Sequence, residues 1–286
     1  MLYKEYIPDS YFSKHVESYW EIFTNSCDKV TSAIMPPEGV FDILFINTPI
    51  FLKYSKDDSN KWIRINNGAF FMGLLTQSVS LRLEKNTNVF GIRLKPFSLA
   101  KLINKPLHIY TNKIDRLQEV FNNVDQKIIN GIIYSESINS KIKYVELFIS
   151  GIIDKSIEIN QEIREILNNI MDNKGDIKIS KLYIEYNTNK FTLRNHFLNN
   201  VGLSPKEISK IWRLNNFLKL RKEFPAENLT SSGYDAGYYD QSHLIKDFKS
   251  YFNSSPFQLL NTNNKYLLKY SQERITRRFA SYYSPF

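Results

Sequence analysis

Between residues 30 and 95 the hydrophobic and polar positions of the chain follow the pattern of short β-strands. Apolar residues either alternate with polar ones at a period of two or form runs of four to six that end at turn residues. Asn66-Asn67-Gly68 follows one of these segments, and Asn-Gly predicts a hairpin there. Several short strands separated by turns predict a sandwich or a small barrel. The predicted strands are residues 41–46, 62–65, 80–84 and 89–94.

From about residue 97 the apolar positions instead recur every three or four residues, which is the spacing of one helix face. Residues 138–153 and 160–172 show this spacing most clearly. Asp172-Asn173-Lys174-Gly175 then predicts a helix end, because Gly is favoured just after the last helical turn. We therefore expect a β-rich domain at residues 1–120 and a helical connector at 121–173.

The last third of the chain contains two pairs of short predicted helices, at an offset of 50 to 51 residues. Asn187-Thr188-Asn189 separates the helices of the first pair, and Tyr238-Tyr239-Asp240 separates those of the second. Ser204, followed by Pro205 and by Glu207 three positions later, predicts a capped helix that joins the pairs. Two short helices joined by a tight turn describe a helix-turn-helix, whose second helix enters the major groove of DNA.

The charge of the chain is distributed unevenly. Its 286 residues carry a formal net charge of +9. Residues 1–173 hold 20 basic and 20 acidic side chains, whereas residues 174–286 hold 18 basic and 9 acidic ones. This asymmetry indicates an anionic partner for the second part, and nucleic acid is the leading candidate. A basic domain that is merely soluble is the alternative.

Several classes of protein are excluded by composition. Cys27 is the single cysteine, so a disulfide framework or a cysteine-rich metal site is not expected, and the four histidines are not spaced as metal ligands. We find neither a cofactor fingerprint nor a catalytic motif. No apolar segment reaches 18 residues, and the N-terminus lacks the apolar core of a signal peptide. The chain is expected to be a cytoplasmic protein that is not an enzyme, with no membrane partner and no cofactor.

Residues 176–260 resemble the DNA-binding module of the AraC/XylS family of bacterial transcription regulators. The resemblance depends on Val201-Gly202-Leu203-Ser204-Pro205-Lys206 and on Gly237-Tyr238-Tyr239-Asp240-Gln241-Ser242-His243-Leu244, with Phe248 and Pro256. Residues 1–120 are similar to an N-terminal domain that often precedes this module. The resemblance implies an α+β multidomain chain, with a β-rich, sandwich-like or barrel-like sensor domain and an all-α double helix-turn-helix domain at residues 174–262.

The sequence departs from the family at four positions. Asn187 replaces the usual Gly of the first turn, and Asn tolerates positive φ. Tyr183 replaces a small Ala and has to be accommodated by repacking. Ser232 and Gly233 replace an apolar residue and an Ala in the second unit, which predicts less buried area and a weaker helix. The second unit is therefore expected to be the weaker of the two.

Helix geometry and the resemblance together predict which side chains contact DNA. Arg pairs with guanine and Asn with adenine, while lysines mostly contact phosphates. The predicted base contacts are Phe191, Thr192, Arg194, Asn195, Gln241, Ser242 and Lys246. The predicted phosphate contacts are Lys190, Lys206, Lys210, Arg213 and Lys249.

The N-terminal domain offers few candidates for a ligand site. Glu38 and Asp42 lie beside a predicted strand, and Arg93 is in another strand, where it could hold an anion or form a surface salt bridge. A basic tail at residues 263–286 contains five Lys and Arg residues interleaved with aromatic residues. This tail is expected either to form an extra helix or to be loosely ordered.

These observations favour a sequence-specific transcription regulator controlled by its N-terminal domain. Its expected partners are double-stranded DNA, a small-molecule effector, RNA polymerase and a second copy of the chain. The alternative is a small-molecule-binding or enzymatic protein with a degenerate basic domain, which the changes at Ser232 and Gly233 favour. A third interpretation is a regulator that docks a protein partner on an exposed helix face at Ile142 and Ile149.

Overall fold

A computed structural model describes residues 1–27, 31–57, 59–99, 103, 105–122, 124–152 and 161–261 of the chain. The predicted basic tail at 263–286 lies outside the described residues. The strands are β1 (Leu2–Tyr6), β2 (Val16–Phe23), β3 (Thr31–Met35), β4 (Phe41–Ile46), β5 (Ile50–Tyr54), β6 (Ile63–Ile65), β7 (Gly68–Met72), β8 (Val79–Leu83), β9 (Asn88–Leu94) and β10 (Ile114–Arg116). The helices are α1 (Leu117–Val120), α2 (Gln126–Tyr134), α3 (Ile138–Ile152), α4 (Gln161–Asp172), α5 (Ile179–Glu185), α6 (Lys190–Asn200), α7 (Pro205–Glu223), α8 (Leu229–Asp235), α9 (Gln241–Phe252) and α10 (Pro256–Asn261).

The strands form two antiparallel sheets. The six-stranded sheet has the order β1-β2-β9-β4-β7-β10, and the four-stranded sheet has the order β3-β8-β5-β6. The N-terminal part is thus the β-rich domain that the alternating pattern predicts. The helices follow it, so the chain has the expected α+β two-domain architecture.

The centre of the six-stranded sheet is buried on both faces, which explains the composition of its strand β4. All six residues of β4 are buried, and they alternate between two hydrophobic clusters. Phe41, Ile43 and Phe45 face the helices, whereas Leu44 and Ile46 face the four-stranded sheet. A strand covered on both faces reads as an almost continuous apolar run, and that is how β4 appears in the sequence.

The prediction of a hairpin at Asn66-Asn67-Gly68 is wrong. Strand β6 pairs with β5 in the four-stranded sheet, whereas β7 pairs with β4 and β10 in the six-stranded sheet. The Asn-Asn pair therefore carries the chain from one sheet to the other. The local turn signal is present, but the pairing of the flanking strands depends on long-range contacts that such a signal does not encode.

The helices of the connector bury the face that their spacing predicts. In α4 the buried residues include Ile163, Ile166, Leu167 and Ile170. In α3 Ile149 is only 1% exposed, so it belongs to the core and not to a docking face as the third interpretation required. One hydrophobic cluster extends from the six-stranded sheet through these helices into both helix-turn-helix units.

Candidate nucleic-acid interface

The first helix-turn-helix unit consists of α5, a tight turn and α6. Asn187 occupies the turn with a φ of 43°, as expected for a residue that replaces Gly at a left-handed position. Asn189 caps α6 and accepts a hydrogen bond from the backbone N–H of Thr192 at 2.9 Å. Tyr183 is half-buried against the main hydrophobic cluster, so repacking does accommodate it.

The first turns of α6 present the predicted side chains to solvent. Phe191 is 75% exposed, Arg194 is exposed, and Thr192 and Asn195 are partly exposed. Leu193 and Phe197 lie on the opposite face of α6 and are buried. Residues three and four positions apart share a helix face, so Phe191, Arg194 and Asn195 form one outward surface.

The second unit presents a similar surface on α9. Asp240 caps this helix and accepts a hydrogen bond from the backbone N–H of His243 at 2.7 Å. Leu244 and Phe248 are buried. The predicted base contacts of this unit are all exposed: Gln241, Ser242 and Lys246.

The two unusual residues of α8 are both buried and both make specific contacts. Arg221 Nη1 donates to Ser232 Oγ at 3.2 Å and to the carbonyl oxygen of Glu227 at 2.5 Å, so Ser232 joins a network that fixes the α7–α8 turn. A Cβ added at Gly233 would be 3.1 Å from Leu244 Cδ2, which shows that Gly233 packs against Leu244. Helix α8 therefore forms with these residues as part of its packing, which weakens the argument for a degenerate second unit.

A cleft of about 640 Å³ lies between the two units and carries a cationic rim. Its apolar wall includes Ile177, Ile179, Tyr183 and Pro205. Among the described residues that line it there is no carboxylate. Its cationic or titratable side chains are Lys190, Arg194, Lys206, Lys210, Arg213 and His243. Five of the residues that the sequence assigns to DNA, all on α6 and α7, thus line one cleft. From α9 only His243 lines it, and the predicted contacts of that helix lie outside the lining.

A buried carboxylate that sequence reasoning missed holds part of this rim in place. Asp247 is 3% exposed, and its Oδ1 lies 2.7 Å from Lys210 Nζ on α7. His243 Nε2, one turn earlier on α9, lies 3.6 Å from Asp247 Oδ2. Asp247 therefore joins α7 to α9 and orients two side chains that line the cleft. Its position next to Phe248, on the inward face of α9, is the signal that could have found it.

The predicted phosphate contacts divide into two groups. Lys190, Lys206 and Lys249 are exposed, and Lys210 is partly exposed although its Nζ is paired with Asp247. Arg213 Nη2 instead donates to the carbonyl oxygen of Gly175 at 2.9 Å, and its guanidinium lies over the ring of Tyr238. These contacts occupy Arg213 within the domain, so we leave it out of the proposed phosphate contacts.

The candidate ligand residues of the N-terminal domain form a buried ion cluster. Arg93 is directly opposite Asp42 in the β4–β9 pairing and is 1% exposed. Its guanidinium lies 3.5 Å from carboxylate oxygens of Asp42 and Glu38 and 3.4 Å from Glu5. Burial alone lowers the pKa of Arg93, but Asp42 and Glu38 raise it well above its usual value, so the side chain stays charged.

This arrangement corrects both interpretations of Arg93. The ion pair is in the core rather than on the surface, and the guanidinium is already surrounded by three carboxylates. An added anion would meet their repulsion, so Arg93 with Glu38 and Asp42 is better described as an internal support of the sheet. Trp20 Nε1 adds a hydrogen bond to Asp42 Oδ1 at 2.8 Å.

The described residues offer neither a metal site nor a membrane-spanning helix. Within the part of the chain that the structure describes, no group of three or more His, Cys, Asp or Glu side chains could hold a metal ion. Within the same residues, no helix has the length and apolar character needed to cross a membrane.

Both parts of the chain match known domain families. A helix-turn-helix domain matches residues 184–262, and a domain of unknown function, DUF6597, matches residues 4–114. The C-terminal domain is an AraC-type helix-turn-helix domain. The chain is therefore a DNA-binding transcription regulator.

Solved structures similar to the regulator were also found. ToxT from Vibrio cholerae is 14% identical, with 91% of this chain and 98% of that chain covered and a TM-score of 0.48. An unsaturated fatty acid bound wild-type ToxT from Vibrio cholerae strain SCE256 is 14% identical, with coverages of 84% and 97% and a TM-score of 0.40. The AraC-like transcriptional activator CuxR is 12% identical, with coverages of 82% and 91% and a TM-score of 0.28. No curated protein matches the regulator.

Proposed function

We propose that α6 and α9 are recognition helices that enter successive major grooves on one face of the DNA. The observation that supports this is the placement of the two capped helices, which both contribute to the same cationic cleft and are joined by α7. Successive major grooves are about 34 Å apart along the duplex. One protomer then covers two turns of an asymmetric sequence.

The side chains on α6 and α9 have different roles in this proposal. Arg194 and Asn195 read base edges through paired hydrogen bonds, and Phe191 and Thr192 contact thymine methyl groups. Gln241, Ser242 and Lys246 read the second groove. The phosphate contacts are Lys190, Lys206, Lys210 and Lys249, which position the protein without specifying sequence.

The first test is a salt series of binding to the DNA upstream of the regulator's own gene, with unrelated DNA of equal length as the control. A sequence-specific regulator binds one upstream segment at least about a thousandfold more tightly than the control, and log affinity falls steeply with log salt. Equal and weak binding to both DNAs, with and without cell extract, would contradict the proposal.

Replacing Arg194 by Ala tests the base-reading surface. Loss of a bidentate contact to guanine is expected to reduce specific affinity by about 1–3 kcal/mol and to relax preference at one base pair. The measurement is binding to a set of duplexes in which each position of the bound segment is changed in turn. The matched control is Arg116→Ala, which removes an exposed arginine from β10 of the N-terminal domain. A loss of equal size on every duplex would remove Arg194 from the base contacts.

Replacing Lys206 by Ala tests the phosphate contacts. Affinity is expected to fall equally for all sequences, and the slope of log affinity against log salt to become shallower by about 1, because one fewer phosphate is neutralised. Titration at four or more salt concentrations gives that slope. Lys143→Ala, at an exposed position on α3, is the control and should leave the slope unchanged. An unchanged slope for Lys206→Ala would place this lysine outside the interface.

The N-terminal domain is proposed to control DNA binding in response to a small-molecule effector. The support is physical continuity, since one hydrophobic cluster joins its six-stranded sheet to both helix-turn-helix units. Contact with RNA polymerase, formation of a homodimer, a cytoplasmic location and the absence of enzymatic activity remain predictions of the sequence.

A further inference from the structure

The C-terminal ends of both recognition helices are hydrogen-bonded to the N-terminal domain. At the end of α9 the carbonyl oxygen of Tyr251 accepts from Ser55 Oγ at 2.9 Å and from the backbone N–H of Ser78 at 2.7 Å. Just beyond α6 the carbonyl oxygen of Gly202 accepts from Thr111 Oγ1 at 2.9 Å. The last carbonyl groups of a helix lack partners within it, so Ser55 and Ser78 satisfy an acceptor in the last turn of α9 that would otherwise need water.

The two donor sites belong to one connected piece of the N-terminal domain. Ser55 and Ser78 lie next to each other at the end of the β5–β8 pairing, where Ser55 N–H donates to the carbonyl oxygen of Ser78 at 3.0 Å. Asn112, directly after Thr111, is linked by its side chain to Thr76 through hydrogen bonds of 2.7 and 2.8 Å. We call Ser55, residues 73–78 and residues 110–113 together the bracket.

Further backbone contacts make the bracket stiff. Gly73 N–H donates to the carbonyl oxygen of Lys113 at 3.0 Å, and Asn112 N–H donates to that of Leu74 at 2.9 Å. Asn112 has a φ of 59°, so its backbone is held in the left-handed region while its side chain makes the cross-link. The bracket therefore holds the end of α9 through Ser55 and Ser78, and it holds Gly202, just after α6, through Thr111.

Apolar contacts hold the same face of the DNA-binding domain. Gly202 lies against Phe41 and Leu74, since a Cβ added at Gly202 would be 3.3 and 3.4 Å from them. Gly39 of the β-domain faces α7, with Ile208 and Ile211 within 4 Å of a Cβ placed there. The hydrogen bonds from Ser55 and Thr111 are themselves partly buried, and leaving a buried acceptor without its donor costs free energy.

We propose that the bracket positions the two recognition helices relative to each other, with Ser55 and Ser78 acting on α9 and Thr111 acting on α6. This proposal rests on the proposed function, because it concerns how the two grooves are read together. The bases are contacted from the first turns of α6 and α9, whereas the bracket holds their opposite ends. At 1.5 Å per residue the 12-residue α9 is about 18 Å long, so a change of its angle at Tyr251 displaces its reading end. The N-terminal domain is thereby part of the DNA reader, and Ser55, Ser78, Thr111 and Asn112 are positioning residues.

The test uses the full chain and the tightest duplex selected from a random-sequence pool. Two derivatives of that duplex have either the α6 half or the α9 half scrambled, and the α6 half is the one at which Arg194→Ala relaxes base preference. Ser55→Ala is expected to reduce affinity for the intact duplex about two- to tenfold, the effect of one hydrogen bond. It should leave binding to the duplex with a scrambled α9 half unchanged.

Thr111→Ala should reduce affinity only for duplexes that retain the α6 half. Asn112→Gly keeps the left-handed backbone accessible but removes the cross-link, and is expected to reduce the contribution of both halves. The matched control is Ser13→Ala, which removes a hydroxyl that donates to the carbonyl oxygen of Ser10 at 2.8 Å within the N-terminal domain. It should change none of the affinities.

Three outcomes separate the hypotheses. If Ser55→Ala or Thr111→Ala lowers affinity equally on all duplexes, or behaves like Ser13→Ala, the positioning role is wrong. If the wild-type chain binds the selected duplex and both scrambled duplexes equally, the proposed function itself fails. The positioning proposal is then tested by amide hydrogen exchange alone. Ser55→Ala must speed the exchange of backbone amides at the end of α9 and leave that of α6 unchanged. If exchange at the end of α9 does not change, the positioning proposal is wrong.

Discussion

Replacing Arg93 by Met is expected to lower the free energy of unfolding by about 3–5 kcal/mol, which is the cost of breaking a buried ion pair by removing one partner. Met retains much of the side-chain volume, so a cavity is not the main effect. The carboxylates of Glu5, Glu38 and Asp42, which lie within 3.5 Å of the guanidinium, would be left buried and mutually repelling. Urea denaturation followed by circular dichroism measures the change.

Two further variants determine whether charge is the cause. Arg93→Met combined with Asp42→Asn should lose less stability than Arg93→Met alone, because one uncompensated charge is removed while the side chain can still accept from Trp20 Nε1. Lys219→Ala removes a surface pair with Glu223, whose atoms are 3.9 Å apart, and should cost less than about 0.5 kcal/mol. A double variant that is less stable than Arg93→Met would assign the loss to packing.

Replacing Gly175 by Ala is expected to lower the free energy of unfolding by about 2–4 kcal/mol, from backbone strain and overpacking together. Gly175 has a φ of 76°, and a Cβ there would lie 2.0 Å from the carbonyl oxygen of Ser209 and 2.7 Å from the backbone nitrogen of Arg213. The Gly175 carbonyl oxygen also accepts from Ser209 Oγ at 2.6 Å. The substitution therefore forces the end of α4 away from α7, and chemical denaturation detects the loss.

The control for this prediction is a glycine with the opposite environment. Gly151 lies in α3, and among the residues that the structure describes no atom lies within 4 Å of a Cβ added there. Gly151→Ala should therefore stabilise the chain by about 0.5–1 kcal/mol, because Ala favours the helix and restricts the unfolded chain. If Gly175→Ala were as stable as the wild type, the close approach of α4 to α7 would not be required for folding.

The helix-turn-helix units are the part of the fold most fully predictable from sequence. The N-caps Asn189, Ser204 and Asp240 all accept the hydrogen bonds that their positions predict, and Ser204 with Glu207 forms the predicted capping box. These features depend on residues within a few positions of each other, so the local sequence contains the information. The exposed and buried faces of α6 and α9 follow from the same short-range periodicity.

The β-domain could be predicted only in outline. The strands predicted individually correspond to β4, β6, β8 and β9, whereas β1, β2, β3, β5, β7 and β10 were not predicted individually. The Asn66–Gly68 turn was assigned to the wrong kind of connection. Strand pairing joins residues that are far apart in sequence, as with β2 beside β9, where Trp20 is opposite Gly91. The local sequence does not distinguish a turn within one sheet from a connection between two sheets.

The same division applies to individual side chains. The residue types at Arg194 and Asn195 and their place on an N-capped helix point to DNA without a structure. By contrast, Arg213 and Arg93 look like available cations in the sequence, and only their neighbours show that both are engaged inside the protein. Asp247 gains its role from Lys210, a contact between α9 and α7 that helix periodicity does not encode.

For this regulator the sequence by itself determined the presence of two capped helix-turn-helix units, the basic character of the domain that carries them and the side chains that face outward. The tertiary structure alone decided that the sheet is covered on both faces, that Arg93 is in the core and that Ser55, Ser78 and Thr111 reach the ends of the recognition helices. The physical reason is the range of the interactions. Caps, turns and helix faces depend on neighbours within about four residues, whereas burial, ion pairing and the hydrogen bonds of the bracket depend on which distant segments the fold brings together.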